Sequence, residues 1–244
     1  MFGDGMRITL LGTGDTIGTP KVGCSCSTCI HALETGRERL RTSVLVEAGG
    51  NHILIDTSPD LRTQLLKAKS PHIDAVLWTH GHYDHFVGYN EFYRVQKFPP
   101  AFAAPPVMEY IRQQLHFLKF TGTSFPVYDP FDLCGMTITF VPVCHPPIYA
   151  CGVILEYGGV KFVHTGDTNR NIPPKSVALM KDPDLLFVDA IAPGHMEGSK
   201  HMSYGEALTF AQELHAREFR CVHMSHLIPW DFAHIGTDGE QFRF

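Results

Sequence analysis

The sequence predicts an α+β fold in which two β-sheets carry flanking helices. Three observations lead to it. Along the first half, apolar runs of strand length alternate with Gly-rich or Pro-rich turns. In the second half the succession of strands followed by a helix returns. Across all 244 residues there is no repeat of roughly 20 to 50 residues, no low-complexity linker and no break in composition, so one domain over residues 1–244 is expected.

Arg7–Leu11 is the first expected strand. Thr42–Glu47 and His52–Asp56 follow, joined by the turn Gly49-Gly50, and make a β-meander. Ser58-Pro59-Asp60 is a helix-start signal, Ser as cap and Pro in the first turn, and Leu61, Leu65 and Leu66 share one face of the short helix it opens. Asp74–Thr79 holds the continuous apolar run Ala75-Val76-Leu77-Trp78 of a strand buried on both faces. Ala104–Phe120 reads as a helix from the spacing of Val107, Ile111, Leu115 and Leu118. Strands are expected at Met136–Pro142, Cys151–Tyr157, Val160–His164, Asp184–Asp189 and Phe219–His223, with a helix at Tyr204–Ala216 opened by the capping box Ser203-x-x-Glu206.

Composition narrows the function. Charged residues make up 18% and Gly and Pro number 22 and 17, which excludes a coiled coil or a disordered acidic tail. The balance of 20 Lys and Arg against 25 Asp and Glu leaves a net charge of −5, too acidic for broad nucleic-acid binding, although a local basic patch stays open. The N-terminal MFGDGMRITLLG lacks a basic region followed by an apolar run of signal length. No stretch reaches the ~18 apolar residues of a bilayer span, so a cytoplasmic protein without a membrane partner is expected.

The 15 His and 7 Cys point to metal, because imidazole and thiolate are the main transition-metal ligands. His80-x-His82-x-Asp84-His85 places four ligand-type side chains on the turn after the buried strand, where they can point into one cavity. His145, Asp167 (in His164-Thr165-Gly166-Asp167) and His223 each stand at or just beyond a strand end. Cys24-x-Cys26-x-x-Cys29 needs a fourth ligand to close a tetrahedral structural zinc site, and His226, three residues after His223, is the candidate; free thiols or a redox cluster are the alternatives.

The order His-x-His-x-Asp-His, a single His, an Asp after Thr-Gly and a late His resembles the metallo-β-lactamase superfamily over nearly the whole chain. The resemblance implies a four-layer αββα sandwich of two mixed sheets with outer helices and a dinuclear site at one edge. It implies that His80, His82 and His145 hold one divalent metal, that Asp84, His85 and His223 hold the other, and that Asp167 bridges them. Such ligands suit Zn, Mn or Fe, and two ions a few Å apart can hold a bridging hydroxide and steady attacking and leaving oxygens, so hydrolysis is the expected reaction class. The oxygen-reducing diiron branch has an acidic residue where this chain has His82, which argues against redox chemistry.

Within the superfamily, Leu11-Gly12-Thr13-Gly14, Gly18-Thr19-Pro20, the cysteine cluster, His223-Met224-Ser225-His226 and Asp238-Gly239 are similar to the PhnP family of cyclic-phosphate phosphodiesterases. That likeness implies a dinuclear catalytic site, a separate zinc on three Cys and one His, and a small, cyclic phosphodiester as substrate; a homodimer also rests on it alone. It places a leaving-group catalyst at His201, for which a solvated loop histidine is the alternative. Asp84 is expected to orient the nucleophile as well as bind metal. Asp56 resembles the superfamily's strand-end Asp that orients ligands.

Other groups carry less. His195 reads as a surface residue, and His31, His52, His72, His116, His164, His215 and His234 as surface or hydrogen-bonded core residues. Phe92, Phe98, Phe102, Phe117, Phe120 and Phe125 read as core and pocket wall in preference to a nucleobase-stacking platform, and Cys134, Cys144, Cys151 and Cys221 as small buried apolar residues. Competing functions are a tRNA 3′-processing endonuclease of the ribonuclease Z type, disfavoured by the lack of a basic arm in Phe86–Cys144, and a thioester hydrolase of the glyoxalase II type, which lacks the cysteine loop. A non-catalytic metal scaffold or sensor is the reading outside enzymes.

Overall fold

The computed structural model describes residues 5–196 and 199–244, so the start of the stretch read for a signal, residues 1–4, lies outside them. In chain order the elements are β1 (Arg7–Gly12), α1 (Ser27–Thr35), β2 (Ser43–Ala48), β3 (Asn51–Ile55), α2 (Leu61–Lys67), β4 (Ala75–Trp78), α3 (Tyr83–Phe86) and a 3₁₀ turn (Val87–Phe92). Next come β5 (Ala101–Ala103), α4 (Pro105–Gln114), β6 (Gly122–Ser124), β7 (Phe131–Leu133), β8 (Met136–Val143), β9 (Ala150–Tyr157) and β10 (Val160–His164). The last are α5 (Pro174–Met180), β11 (Leu185–Asp189), α6 (Tyr204–Glu213), β12 (Phe219–Val222) and β13 (Gln241–Arg243).

Among the described residues the strands form two sheets, in the orders β13-β1-β2-β3-β4-β5-β6 and β12-β11-β10-β9-β8-β7. Both are mixed: β3, β4, β5 and β6 run parallel beside an antiparallel half, and β10, β11 and β12 run parallel beside antiparallel β9, β8 and β7. The two-residue period of a strand decides the layers. In β8, Ile138 and Phe140 enter a core shared with Leu10, Val44 and Leu54 of the first sheet. Val141 turns the other way, into a second core with Leu186, Val188, Met180 of α5 and Phe210 of α6. Helices therefore cover the outer faces and two sheets meet inside, as the fold class predicts.

Boundaries differ where local bonding overrides periodicity. The second helix starts at Leu61, not at Ser58, with Asp60 at its cap; Ser58 instead turns the chain, its Oγ accepting from Asp60 N at 3.1 Å and donating to Gln64 Oε1 at 2.9 Å. Leu66 lies on its exposed side. The helix expected over Ala104–Phe120 stops at Gln114, and Phe117, expected in the core or pocket wall, is 63% exposed. The capping box at Ser203 and Glu206 forms, but α6 ends at Glu213 before His215, whose φ is 53°. Cys151 and Cys221 are buried, whereas Cys134 and Cys144 are only half-buried because they stand at strand ends. No helix of the described residues is long and apolar enough to cross a membrane.

Candidate metal centre

Residues that carry chemistry stand just beyond strand ends at one edge of the sandwich. In the first sheet β1, β3 and β4 run the same way and lead to Asp15, Asp56 and His80. In the second, β8, β10, β11 and β12 run the same way and lead to His145, Asp167, Asp189 and His223. The sheets are tied at this edge, where Cys151 N donates to Thr79 O at 2.9 Å and His80 pairs with Ala150. After β4 the backbone passes the extended His82 and makes the single turn α3, which returns Asp84 and His85 to the cavity. Gly81, between the two histidines, leaves room for the Tyr110 ring, from which a Cβ there would lie 2.3 Å.

Two groups of donors result. His82 Nδ1 lies 3.1 Å from His80 Nε2 and 2.9 Å from His145 Nε2. Asp84 Oδ2 lies 3.4 Å from His85 Nε2 and 3.5 Å from His223 Nε2. Between the groups stands Asp167 Oδ2, at 3.5 Å from His80, 3.8 Å from His145, 3.4 Å from His85 and 3.2 Å from His223, each measured to Nε2. The structure thus brings together all seven side chains singled out in the sequence, and each group could hold a metal ion.

The proton positions assigned by the hydrogen-bond network fit a cation. Thr79 Oγ1 donates to Asp56 Oδ2 and so accepts from His80 Nδ1 at 3.0 Å. His85 Nδ1 donates to Asp56 Oδ2 at 2.7 Å, and His145 Nδ1 donates to Lys200 O at 3.1 Å. Three imidazoles therefore spend their proton outward and aim Nε2 lone pairs at a buried carboxylate, and His85 Nε2 has no hydrogen-bond partner. Lone pairs and carboxylates facing one another away from water need a positive ion among them.

Charge tells the same story. Burial holds His80 far below its usual pKa, and takes His145 down to about 4, so both are neutral. Burial opposes the charged form of His85 and His223 as well, but Asp167 outweighs it and raises both, seconded by Asp84 at His85 and by Asp189 and Asp84 at His223. Asp84 and Asp167 are pushed up by burial yet held well below the carboxylate range, chiefly by His85 and His223. The cavity draws in positive charge, either as protons on these two histidines or as metal displacing them.

Asp189, unmarked in the sequence reading, completes the support. It is buried; its Oδ2 accepts from His201 Nδ1 and Thr168 N, both at 2.8 Å, while Oδ1 lies 3.6 Å from His223 Nδ1. The His201 ring stacks on His223 at 4.9 Å and meets His145 edge-on at 4.7 Å, which places it in the site and not on a solvated loop. Burial lowers the His201 pKa but Asp189 raises it further, a net upward shift. His195 is 71% exposed beside Glu206, on the surface as expected. His164 departs from expectation: it is buried with neither ring nitrogen partnered among the described residues, and burial takes it down to about 4.

Cys24, Cys26, Cys29 and His226 converge as a second candidate site, their ligand atoms within 4.8 Å of one another. His226 Nδ1 lies 3.5 Å from Cys24 Sγ and 3.4 Å from Cys26 Sγ. The bond to His226 lowers the Cys26 thiol to about 6, while burial raises Cys29 to about 11. The segment holding His223 and His226 is clamped to the N-terminal strand loop, Asp15 N donating to Met224 O and Met224 N to Thr13 O. Buried Arg39, also missed in the sequence, donates to Ser225 O at 3.1 Å and Ile228 O at 2.8 Å and stacks on Trp230 at 4.1 Å.

The family described as beta-lactamase superfamily domain matches residues 51–224. The chain belongs to this superfamily. A crystal structure described as a new diphosphatase from the PhnP family superposes with a TM-score of 0.84 at 28% identity, over 98% of this chain and 97% of that one. Zn²⁺-bound PqqB from Methylobacterium extorquens superposes with a TM-score of 0.82 at 19% identity, over 97% and 99%, a likeness of fold alone. An octanoyltransferase of Porphyromonas gingivalis is 28% identical over 94% of this chain but 48% of its own length. The chain spans about half the length of the curated relatives it matches. The metallo-β-lactamase fold and the likeness to PhnP expected from the sequence are both present.

Proposed function

We propose that this chain is a metal-dependent phosphodiesterase that hydrolyses a small, cyclic phosphodiester. The observation that carries the reading is the single oxygen Asp167 Oδ2, within 3.8 Å of four imidazole nitrogens from both donor groups. In this reading His80, His82 and His145 hold one divalent ion, Asp84, His85 and His223 the other, Asp167 bridges them, and Cys24, Cys26, Cys29 and His226 hold a structural zinc. Two such ions, when bound, activate water and neutralise charge on a phosphoryl group.

The chain's own residues do the rest. Asp56, Thr79 and the Lys200 carbonyl fix which nitrogen of His80, His85 and His145 carries a proton, so the ligand faces need no reorganisation when substrate arrives. Asp84 orients the attacking water. His201 has Nδ1 committed to Asp189, and its raised pKa keeps a proton on Nε2 for the departing alkoxide. The PhnP-family likeness supports phosphorus–oxygen chemistry. The octanoyltransferase name belongs to a protein of which this chain covers half, and supports no acyl transfer here. The reading places the chain in the cytoplasm as one domain.

The test is metal analysis with turnover of bis(p-nitrophenyl) phosphate, 2′,3′-cyclic nucleotides, a dinucleoside diphosphate and a precursor tRNA. The expected result is about three metals per chain, cyclic-diester turnover and uncut tRNA. His201→Ala should keep its metals and lose about 10²- to 10⁴-fold in kcat. Cleavage of the tRNA with inert cyclic diesters, or an unchanged His201→Ala rate, overturns the assignment it concerns.

A further inference from the structure

The sheet edge opposite the metal centre carries a second concavity. Because β4, β5 and β6 run parallel, the segments entering β5 and β6 lie at the far end of the strands from His80. Residues from those segments, with the C-terminal end of α4, line a cleft of about 900 Å³. Arg94, Lys97, Arg112 and Lys119 all line it, and no Asp or Glu does. These are four of the 20 Lys and Arg in a chain of net charge −5.

None of the four is ion-paired among the described residues, whereas Arg7, Arg41, Lys67, Arg170, Arg217 and Arg220 each have a carboxylate. Four like charges around one concavity without a counter-charge repel one another, and an anion seated among them relieves that repulsion. The walls between them are aromatic and held by the core. Phe98 stacks one face on buried Tyr89 at 5.3 Å, and Phe120 meets Trp78 edge-on at 5.7 Å; both line the cleft. Tyr93, also lining it, is 59% exposed with the Arg94 guanidinium 5.1 Å from its ring centre. Arg112 donates one N–H to Gly122 O, and fixed aromatic faces beside cations that lack a carboxylate are the chemistry that recognises a flat heterocycle joined to phosphates.

From this geometry we propose that the cleft binds a free nucleotide, a nucleoside di- or triphosphate, at a site separate from the metal centre. The volume falls in the small-molecule range of roughly 300 to 1,000 Å³. A nucleotide suits it better than a nucleic-acid strand, because these four cations surround one concavity of an otherwise acidic chain.

Calorimetric titration of the metal-loaded protein with ATP, tripolyphosphate, adenosine and (dT)₁₂ tests this. Wild type is expected to bind ATP at least about 10-fold tighter than tripolyphosphate or adenosine, since one lacks the base and the other the charge. Lys97→Ala/Lys119→Ala should weaken ATP at least about 10-fold with bis(p-nitrophenyl) phosphate turnover unchanged, and His82→Ala should retain ATP binding. The proposal fails if the double variant binds ATP like wild type, if His82→Ala abolishes binding, if tripolyphosphate matches ATP, or if (dT)₁₂ binds tighter than ATP.

Discussion

Replacing Asp56 by Asn probes how the metal centre is held from beneath. Asp56 is fully buried, and its carboxylate takes three donors: Thr79 N on Oδ1 at 2.8 Å, then Thr79 Oγ1 and His85 Nδ1 on Oδ2, both at 2.7 Å. Its φ is 61°, a left-handed value that Asn also adopts, so the backbone does not confuse the result. An amide oxygen can replace Oδ2 and keep two donors, but its NH₂ then faces Thr79 N–H. Thr79 N–H and the amide N–H facing it are both left unpaired at about 1–3 kcal/mol each, and the two remaining bonds lose charge assistance at roughly 0.5–1 kcal/mol each. The loss should total at least about 3 kcal/mol. Asp56→Ala leaves three donors without partners and should cost about 5 kcal/mol or more. The assay is urea unfolding of chelator-treated protein followed by tryptophan fluorescence, because Trp78 Nε1 donates to Thr57 Oγ1 next to the substitution. Metal titration of the same variant should show affinity about 10- to 100-fold weaker. An Asn variant within about 1 kcal/mol of wild type would refute the reasoning, since the donors would then have found other partners.

Three further outcomes are expected. Ser203→Ala removes the hydroxyl that accepts from Glu206 N and should cost about 1 kcal/mol, lowering Tm by about 2–4 °C; an unchanged melting curve contradicts it. Burial pushes Asp238 up to about 7 against the donors Leu40 N and Thr13 Oγ1, so the folded state binds its proton more tightly than the unfolded chain, and stability falls as pH rises from about 4 through 7. Asp238→Asn removes that titration. Between pH 5 and 8 its stability relative to wild type should grow by about 1–2 kcal/mol, discounted for the half-buried position, and parallel pH profiles from urea midpoints would exclude it. Cys26→Ser should release about one metal per chain in elemental analysis, and an unchanged count would remove the cysteine site from the metal inventory.

Legibility followed length. The four strands that escaped the sequence reading, β5, β6, β7 and β13, have three residues each, too few for a two-residue alternation to register. The helix α1 escaped because Ile30 and Leu33 face water while Thr28 and Cys29 are buried, which scrambles its apolar stripe. Pro173-Pro174 reads as a break although Pro also starts helices, and so hid α5. At the site, His80, His82, Asp84 and His85 stand out because they are adjacent in sequence, and the structure brings His145, Asp167 and His223 to them. Asp189 is a lone carboxylate and carries no such local pattern. Its one signal is the apolar run ending in Asp, Phe187-Val188-Asp189, which matches Ile53-Leu54-Ile55-Asp56.

The strand-end placement of the site fixes where the chain can gain or lose residues. A deletion inside β4, β8, β10, β11 or β12 draws its terminal residue back by about 3.3 Å and turns every later side chain to the opposite face, so His80, His145, Asp167, Asp189 or His223 would leave the cavity. The hairpins at Gly49-Gly50, Cys134-Gly135 and Gly158-Gly159 close the other edge, where added length moves no ligand. Added residues should therefore be tolerated at those three hairpins, whereas within the strands the spacing of the tips is as constrained as the identity of the residues they carry.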